Sequence, residues 1–376
     1  MKLGIGLYRR MLTPENFRFA RQAGCTHLVA HLVDYFQQGV VHGTDAEQTW
    51  GVTRNRGKLW TVEELRELKR SVEAEGLVLE AIENFDPAFW HDVLLDGPQK
   101  QSQLEDLKTI IRRLGEVGIP TMGYNFSIAG VWGHVEGPFA RGGAVSVGFL
   151  GSNGPQQTPI PTGQVWNMVY DPHAPPGTIG TVTSEQLWQR LADFLGELVP
   201  VAEQSGVRLA AHPDDPPMPT LRGTARLVYR PELYQRLLDL APSRANALEF
   251  CLGSLQEMDS GDVYQAIEQY ARQDAIAYVH FRNVRGKVPN YHEVFVDEGD
   301  LDMLRALRLL HRCGYDGVII PDHTPQMSCD APWHAGMAFA LGYIRAAMQV
   351  VEVENLPDAA VSNATEGMAS GPTGLK

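Results

Sequence analysis

With 376 residues, 44% of them hydrophobic and 20% charged, the chain can bury a large core, either as one big barrel or as two smaller domains. A net charge of −13 without a dense Lys/Arg patch argues against nucleic-acid binding, and no apolar run reaches the roughly 20 residues of a membrane span. The amino terminus, MKLGIGLYRR, lacks a signal-peptide layout, and the four cysteines (Cys25, Cys251, Cys313 and Cys329) form no CxxC pair. A cytoplasmic protein without a disulfide framework is the expectation.

In chain order, eight short apolar runs read as buried parallel strands: 3–7, 27–32, 78–82, 121–126, 208–212, 247–251, 276–281 and 318–322. Helical segments lie between them. Thr13-Pro14 offers an N-cap followed by proline at the first helical position. Thr61 with Glu64, and Thr183 with Gln186, have capping-box spacing. Leu104, Leu107, Ile111 and Leu114 share one helical face, as do Leu304, Leu307 and Leu310. Gly24, Gly76, Gly118, Gly206 and Gly314 stand where helices should end. Eight strands alternating with helices predict an α/β fold, a (β/α)8 TIM barrel, as a single catalytic domain over residues 1–350.

Two stretches break the rhythm. Residues 127–181 are rich in Gly and Pro with little helical periodicity, and read as a long loop after strand four, a lid over the mouth of the barrel. Residues 351–376 end in a polar, small-residue stretch (SNATEGMASGPTGLK) and read as a flexible tail.

Four residues with metal-ligating side chains stand at the ends of four successive strands: His212, Cys251, His280 and Asp322. They are 39, 29 and 42 residues apart, each gap close to one βα unit of roughly 30 residues plus a loop. A single strand-end His or buried Cys is more often structural. Four in register are not explained by packing, so a divalent metal is the expectation. A mixed N/S/O set suits Mn²⁺, Fe²⁺, Co²⁺ or Zn²⁺. Asp214 and Asp215 follow His212, Arg282 and Asn283 follow His280, His323 follows Asp322, and Glu293 comes shortly after strand seven. Some of these would orient the ligands and others would meet a substrate.

GYNF at 123–126, ARGGA at 140–144, HPDDPP at 212–217, FCLGS at 250–254, VHFRNV at 279–284, GDLDM at 299–303 and PDH at 321–323 resemble the mannonate dehydratase family, lyases with a xylose-isomerase-like barrel. The resemblance runs in order to about residue 348. It implies a metal, Mn²⁺ first with Fe²⁺, Co²⁺, Mg²⁺ and Zn²⁺ open, on His212, Cys251, His280 and Asp322. It also implies dehydration of D-mannonate to 2-keto-3-deoxygluconate, with His323 in acid/base chemistry. Arg282 or Arg141 would pair the substrate carboxylate, and Asn125, Trp132, His134, Asp214, Asn283 and Glu293 are further candidates to contact the substrate. Two departures fall in the substrate region: His134 stands where the family has Arg, and Pro332-Trp333-His334 replaces Pro-Gly-Tyr, which makes His334 a candidate proton donor. The expected partners are a sugar acid or related carbohydrate and further copies of the chain. Two other readings use the same barrel: β-elimination of a 3-keto-glycoside or sugar isomerisation or epimerisation, and a metal-binding barrel without catalysis.

Overall fold

Eight parallel strands close on themselves in the computed structural model, which describes residues 1–35, 49–53, 58–151 and 157–355. They are Lys2–Leu7 (β1), His27–His31 (β2), Val78–Glu83 (β3), Thr121–Tyr124 (β4), Arg208–Ala211 (β5), Asn246–Cys251 (β6), Ile276–His280 (β7) and Val318–Ile320 (β8). Each pairs with its neighbours in the sequence, and β8 returns to β1. All eight predicted strands are present. Five of the runs were read too far at their carboxyl ends, because apolar or liganding residues continue past the last ladder hydrogen bond.

The helices between strands begin where their side chains can satisfy free backbone N–H groups. Thr13 accepts from Asn16 N ahead of helix Pro14–Gln22. Thr61 and Glu64 complete a capping box on Val62–Ala74, and Thr183 and Gln186 complete another on Ser184–Ser205. Gly118 and Gly206 close helices Lys100–Val117 and Ser184–Ser205 at φ 73° and 67°, where a Cβ would be strained. Leu104, Leu107, Ile111 and Leu114 are buried as their spacing requires; Leu307 and Leu310 are too, while Leu304 is half-buried.

Most of the core lies between strands and helices. A separate apolar cluster draws on barrel strands alone: Val29, Ala81, Ala210, Ala247, Ala277, Tyr278, Val318 and Ile320. Side chains alternate along a strand, so two residues beyond these inward positions come Glu83, His212, Glu249, His280 and Asp322, with Cys251 two beyond Glu249. The apolar plug thus gives way to a polar layer at the carboxyl ends of the strands.

The stretch 127–181 differs from the expectation of a structureless loop. It contains an antiparallel hairpin, His134–Ala140 with Ala144–Leu150, whose second strand pairs with Asn290–Val294; that strand in turn pairs with Asn283–Lys287. The segment folds against a partner about 140 residues away, as in the pairing Phe149–Tyr291, and local periodicity carries no trace of such a partner. The last helix, Pro332–Glu354, extends past the expected boundary at 350, so residues 351–354 are helical. The rest of the expected tail, from 356, lies outside the described residues. Among the described residues no helix is long and apolar enough to cross a membrane.

Candidate metal and catalytic centre

His212, Cys251 and His280 present ligand atoms all within 4.8 Å of one another at the ends of β5, β6 and β7. His212 Nδ1 donates to the Pro213 carbonyl at 2.6 Å, which leaves Nε2 as the free ligand nitrogen. Cys251 is fully buried and accepts from Ser254 N at 3.4 Å, with Ser254 Oγ 3.3 Å from its sulfur. Burial alone would raise its thiol, but the Arg282 guanidinium and hydrogen bonds from His212 and His280 outweigh it and hold the thiol well below its usual range. For His212 the desolvation penalty is likewise overcome, chiefly by Cys251, and the imidazole is raised to about 9. A thiolate between two imidazoles, buried and converging, fits a divalent transition metal.

Asp322, the fourth predicted ligand, sits beside this group. Its Oδ2 is 3.3 Å from His280 Nδ1 and 3.1 Å from Arg282 Nε, and its backbone is left-handed at φ 63°. Burial opposes its charge, yet His280, His323 and Arg282 keep the carboxyl well below its ordinary value.

Two residues escaped the sequence reading. Glu83 and Glu249 are buried and, with His280, form a second convergent group. His280 Nε2 is 3.3 Å from Glu83 and 3.2 Å from Glu249. Burial and mutual repulsion push Glu249 well above the usual carboxylate range, while His31 and His280 overcome desolvation to keep Glu83 low. One carboxyl therefore holds the proton and the other the charge. The available signal was a carboxylate inside the run 247–251, Glu249, and another just past the run 78–82, Glu83, which packing does not explain.

A cavity of about 1000 Å³ opens above this layer. His212, His280, Asp322, His323, Arg282, Asn125, His134 and His334 all line it, as expected of site residues. Its wall also carries the rings of Tyr35, Trp50, Trp166 and Trp333; the first three pack together, with Trp50 and Trp166 edge to face at 5.4 Å. His323 Nδ1 lies 2.9 Å from Glu293. Burial would lower this imidazole, but Asp322 and Glu293 more than compensate and raise it to about 10.

Arg282 lines the cavity but is already committed: Asp215, Glu257 and Asp322 accept its hydrogen bonds, Ser254 accepts another, and Glu293 lies 3.6 Å away. Glu293 is buried against His323 and off the cavity wall, and four other candidates lie elsewhere. Arg141 is half exposed outside the cavity, paired with Asp297 and Glu298. Asp214 turns away to accept from Leu227 N and Val228 N and to pair with Arg226. Asn283 uses its amide on Val296 O, Leu301 O, Val284 N and Leu301 N, and Trp132 is buried beneath Arg222 at 3.7 Å. Each of the four packs or bonds among the loops around the mouth. The polar density at strand ends reflected that demand as much as chemistry.

The D-mannonate dehydratase family model matches residues 21–139 and 178–365. The chain belongs to the mannonate dehydratase family. A mannonate dehydratase of Streptococcus pneumoniae (strain 70585) is 30% identical over 278 residues, 71% of this chain and 75% of that protein. The crystal structure of mannonate dehydratase from Streptococcus suis serotype 2 superposes with a TM-score of 0.76 at 25% identity, over 95% of this chain and 96% of that one. An L-ribulose 3-epimerase, at 13% identity and TM-score 0.55 over 100% of this chain and 99% of that one, shares the barrel fold. Between the two matched blocks, the family model leaves 140–177 unmatched, which contains the strand Ala144–Leu150 and the aromatic Trp166.

Proposed function

We propose that this chain is a metal-dependent sugar-acid dehydratase that converts D-mannonate to 2-keto-3-deoxygluconate and water. The observation that carries the reading is the buried convergence of His212, Cys251 and His280 at the mouth of the barrel in a member of this family. These three with Asp322 would hold the ion, Mn²⁺ first among the candidates. A divalent ion there supplies a Lewis acid that makes the proton next to the carboxylate more acidic. An ion on Asp322 would offset the carboxylate that does most to charge His323, leaving that imidazole, oriented by Glu293, to take the C2 proton. Arg282 neutralises the surrounding carboxylates, and Asn125 donates to the Pro213 carbonyl at 3.4 Å, the acceptor that fixes the His212 ring.

The test is a panel of hexonates incubated with the Mn²⁺-loaded protein, read as a 2-keto-3-deoxy acid; no product from any of them would overturn the reading. The cluster of Tyr35, Trp50 and Trp166 on the cavity wall favours one second reading, β-elimination from a 3-keto-glycoside, since aromatic faces suit a second sugar ring or an aglycone. Release of an aglycone without dehydration of any hexonate would select it.

A further inference from the structure

An elimination that removes a proton and a hydroxyl from opposite faces calls on two proton carriers, and the reading above fills only one of those places. The position expected to supply the other was His334. It lines the cavity, but its Nε2 meets the Asn16 amide oxygen at 2.9 Å, and its ring packs edge-on against Phe19 and Trp333. A neutral amide fixes a tautomer without stabilising an imidazolium.

His134 is held differently. It opens the strand His134–Ala140 and lines the same cavity as His212, Asp322 and His323. Its Nε2 lies 2.8 Å from Tyr291 Oη and 3.1 Å from Asp215 Oδ1. Tyr291 donates its single proton to that same Asp215 oxygen at 2.7 Å. Both atoms facing Nε2 are therefore acceptors, so Nε2 is the donor and carries a fixed hydrogen. Asp215 Oδ2 is taken by Arg282 and Ser254, and Arg282 in turn is backed by Glu257. Burial disfavours the Asp215 charge, but Arg282, His134 and Tyr291 hold its carboxyl well below the ordinary range. Both hydrogen bonds of the ring are at Nε2, which leaves Nδ1 for a ligand in the cavity. A carboxylate behind one imidazole nitrogen fixes the tautomer and stabilises the charge that forms when the other takes up a proton.

The strand Asn290–Val294 links this pair to the first. Tyr291 and Glu293 are two apart, so they point to the same face; Tyr291 reaches His134 and Glu293 reaches His323. One strand of the added sheet thereby orients two histidines, each with its own carboxylate.

We propose that His134, backed by Asp215 and Tyr291, is the second proton carrier of the reaction and delivers its Nδ1 proton to the departing C3 hydroxyl. This rests on the dehydratase reading. The C2 proton passes to His323 and its electron pair forms the C2=C3 bond. The C3–O bond breaks with its pair on oxygen, which takes the His134 proton and leaves as water. The enol then loses its hydroxyl proton and gains one at C3, giving the 2-keto acid without any oxidant or reductant.

The test compares wild type, His134→Gln and Tyr291→Phe, all metal-loaded, on D-mannonate and on its 3-deoxy-3-fluoro analogue, in H2O and D2O. Fluoride leaves without a proton, so it needs no acid. On mannonate, His134→Gln should lose on the order of 10²–10⁴ in kcat while KM stays close to wild type. Fluoride release from the analogue should persist within about tenfold, well short of the loss expected for an absent acid. In D2O the variant should still wash deuterium into C2 of recovered mannonate. Tyr291→Phe keeps Asp215 behind the ring and should shift the pH profile with a smaller loss of kcat. Equal losses on both leaving groups, or full activity of His134→Gln on mannonate, would overturn the assignment. A wild type that neither dehydrates mannonate nor exchanges its C2 proton would overturn the dehydratase reading itself, and this one with it.

Discussion

Arg226 fastens the start of the hairpin insertion to the loop after β5. It is 1% exposed and donates from Nη1 to Ser127 Oγ at 2.6 Å and Gly130 O at 2.8 Å, and from Nη2 to Asp215 O at 2.8 Å and Pro216 O at 3.2 Å. Its Nε is 3.1 Å from Asp214 Oδ1, with the two side chains 0% and 5% exposed. Arg226→Met keeps much of the volume but removes the cation and all four hydrogen bonds. A buried ion pair broken on one side costs about 3–5 kcal/mol. The backbone amides of Leu227 and Val228 still serve Asp214, which moderates the loss, while the four orphaned acceptors add to it. The predicted destabilisation is therefore about 3–5 kcal/mol, read as a lowered midpoint in equilibrium urea unfolding followed by tryptophan fluorescence. Adding Asp214→Asn to this variant should recover stability, with a coupling between the two sites of roughly 0.5–3 kcal/mol. A loss below about 1 kcal/mol, the net worth of one ordinary hydrogen bond, together with no coupling, would refute the claim that this pair anchors the insertion.

Other outcomes follow from the same contacts. Cys251→Ser exchanges a thiolate for a poorly ionised hydroxyl and should weaken metal affinity by at least the roughly 10–100-fold that follows loss of a ligand's supporting partner; competition with a chromogenic chelator measures it. His334→Phe should lower turnover less than the roughly 10² lower bound for removing a proton carrier and leave metal content unchanged, so steady-state kinetics beside His134→Gln ranks the two histidines. Thr183→Ala removes one side of a capping box and should cost about 1 kcal/mol, visible in urea unfolding with kcat unchanged.

The barrel was legible because each of its signals is local. Apolar runs of four to six residues, the capping boxes at Thr61 and Thr183, and glycines such as Gly118 and Gly206 each mark an element within a few positions of sequence. Strand ends likewise made His212, Cys251, His280 and Asp322 stand out as candidate ligands, and the first three of them converge. The added sheet was not legible, because Phe149 pairs with Tyr291 across 142 residues and the glycines of 127–181 mask the alternation of its strands. Commitment of side chains was equally hidden. Arg141, Asp214, Asn283 and Trp132 belong to residue types that bind substrates, and only their partners reveal that they hold loops. Glu83 and Glu249 were overlooked for the opposite reason: Glu249 was absorbed into the run 247–251, and Glu83 stands just past the run 78–82. The His134 pairing depends on three segments meeting, at 134, 215 and 291, which no spacing rule links.

The central claim is that a metal held by the strand-end ligands enables dehydration of a sugar acid. The most direct measurement strips the protein with a chelator, returns Mn²⁺ in steps and follows D-mannonate by NMR. The account predicts no reaction when stripped, stoichiometric recovery of 2-keto-3-deoxygluconate formation with wild type, and no recovery with Cys251→Ser at the same metal concentration. Undiminished turnover by the stripped protein, or full recovery by Cys251→Ser, would contradict it.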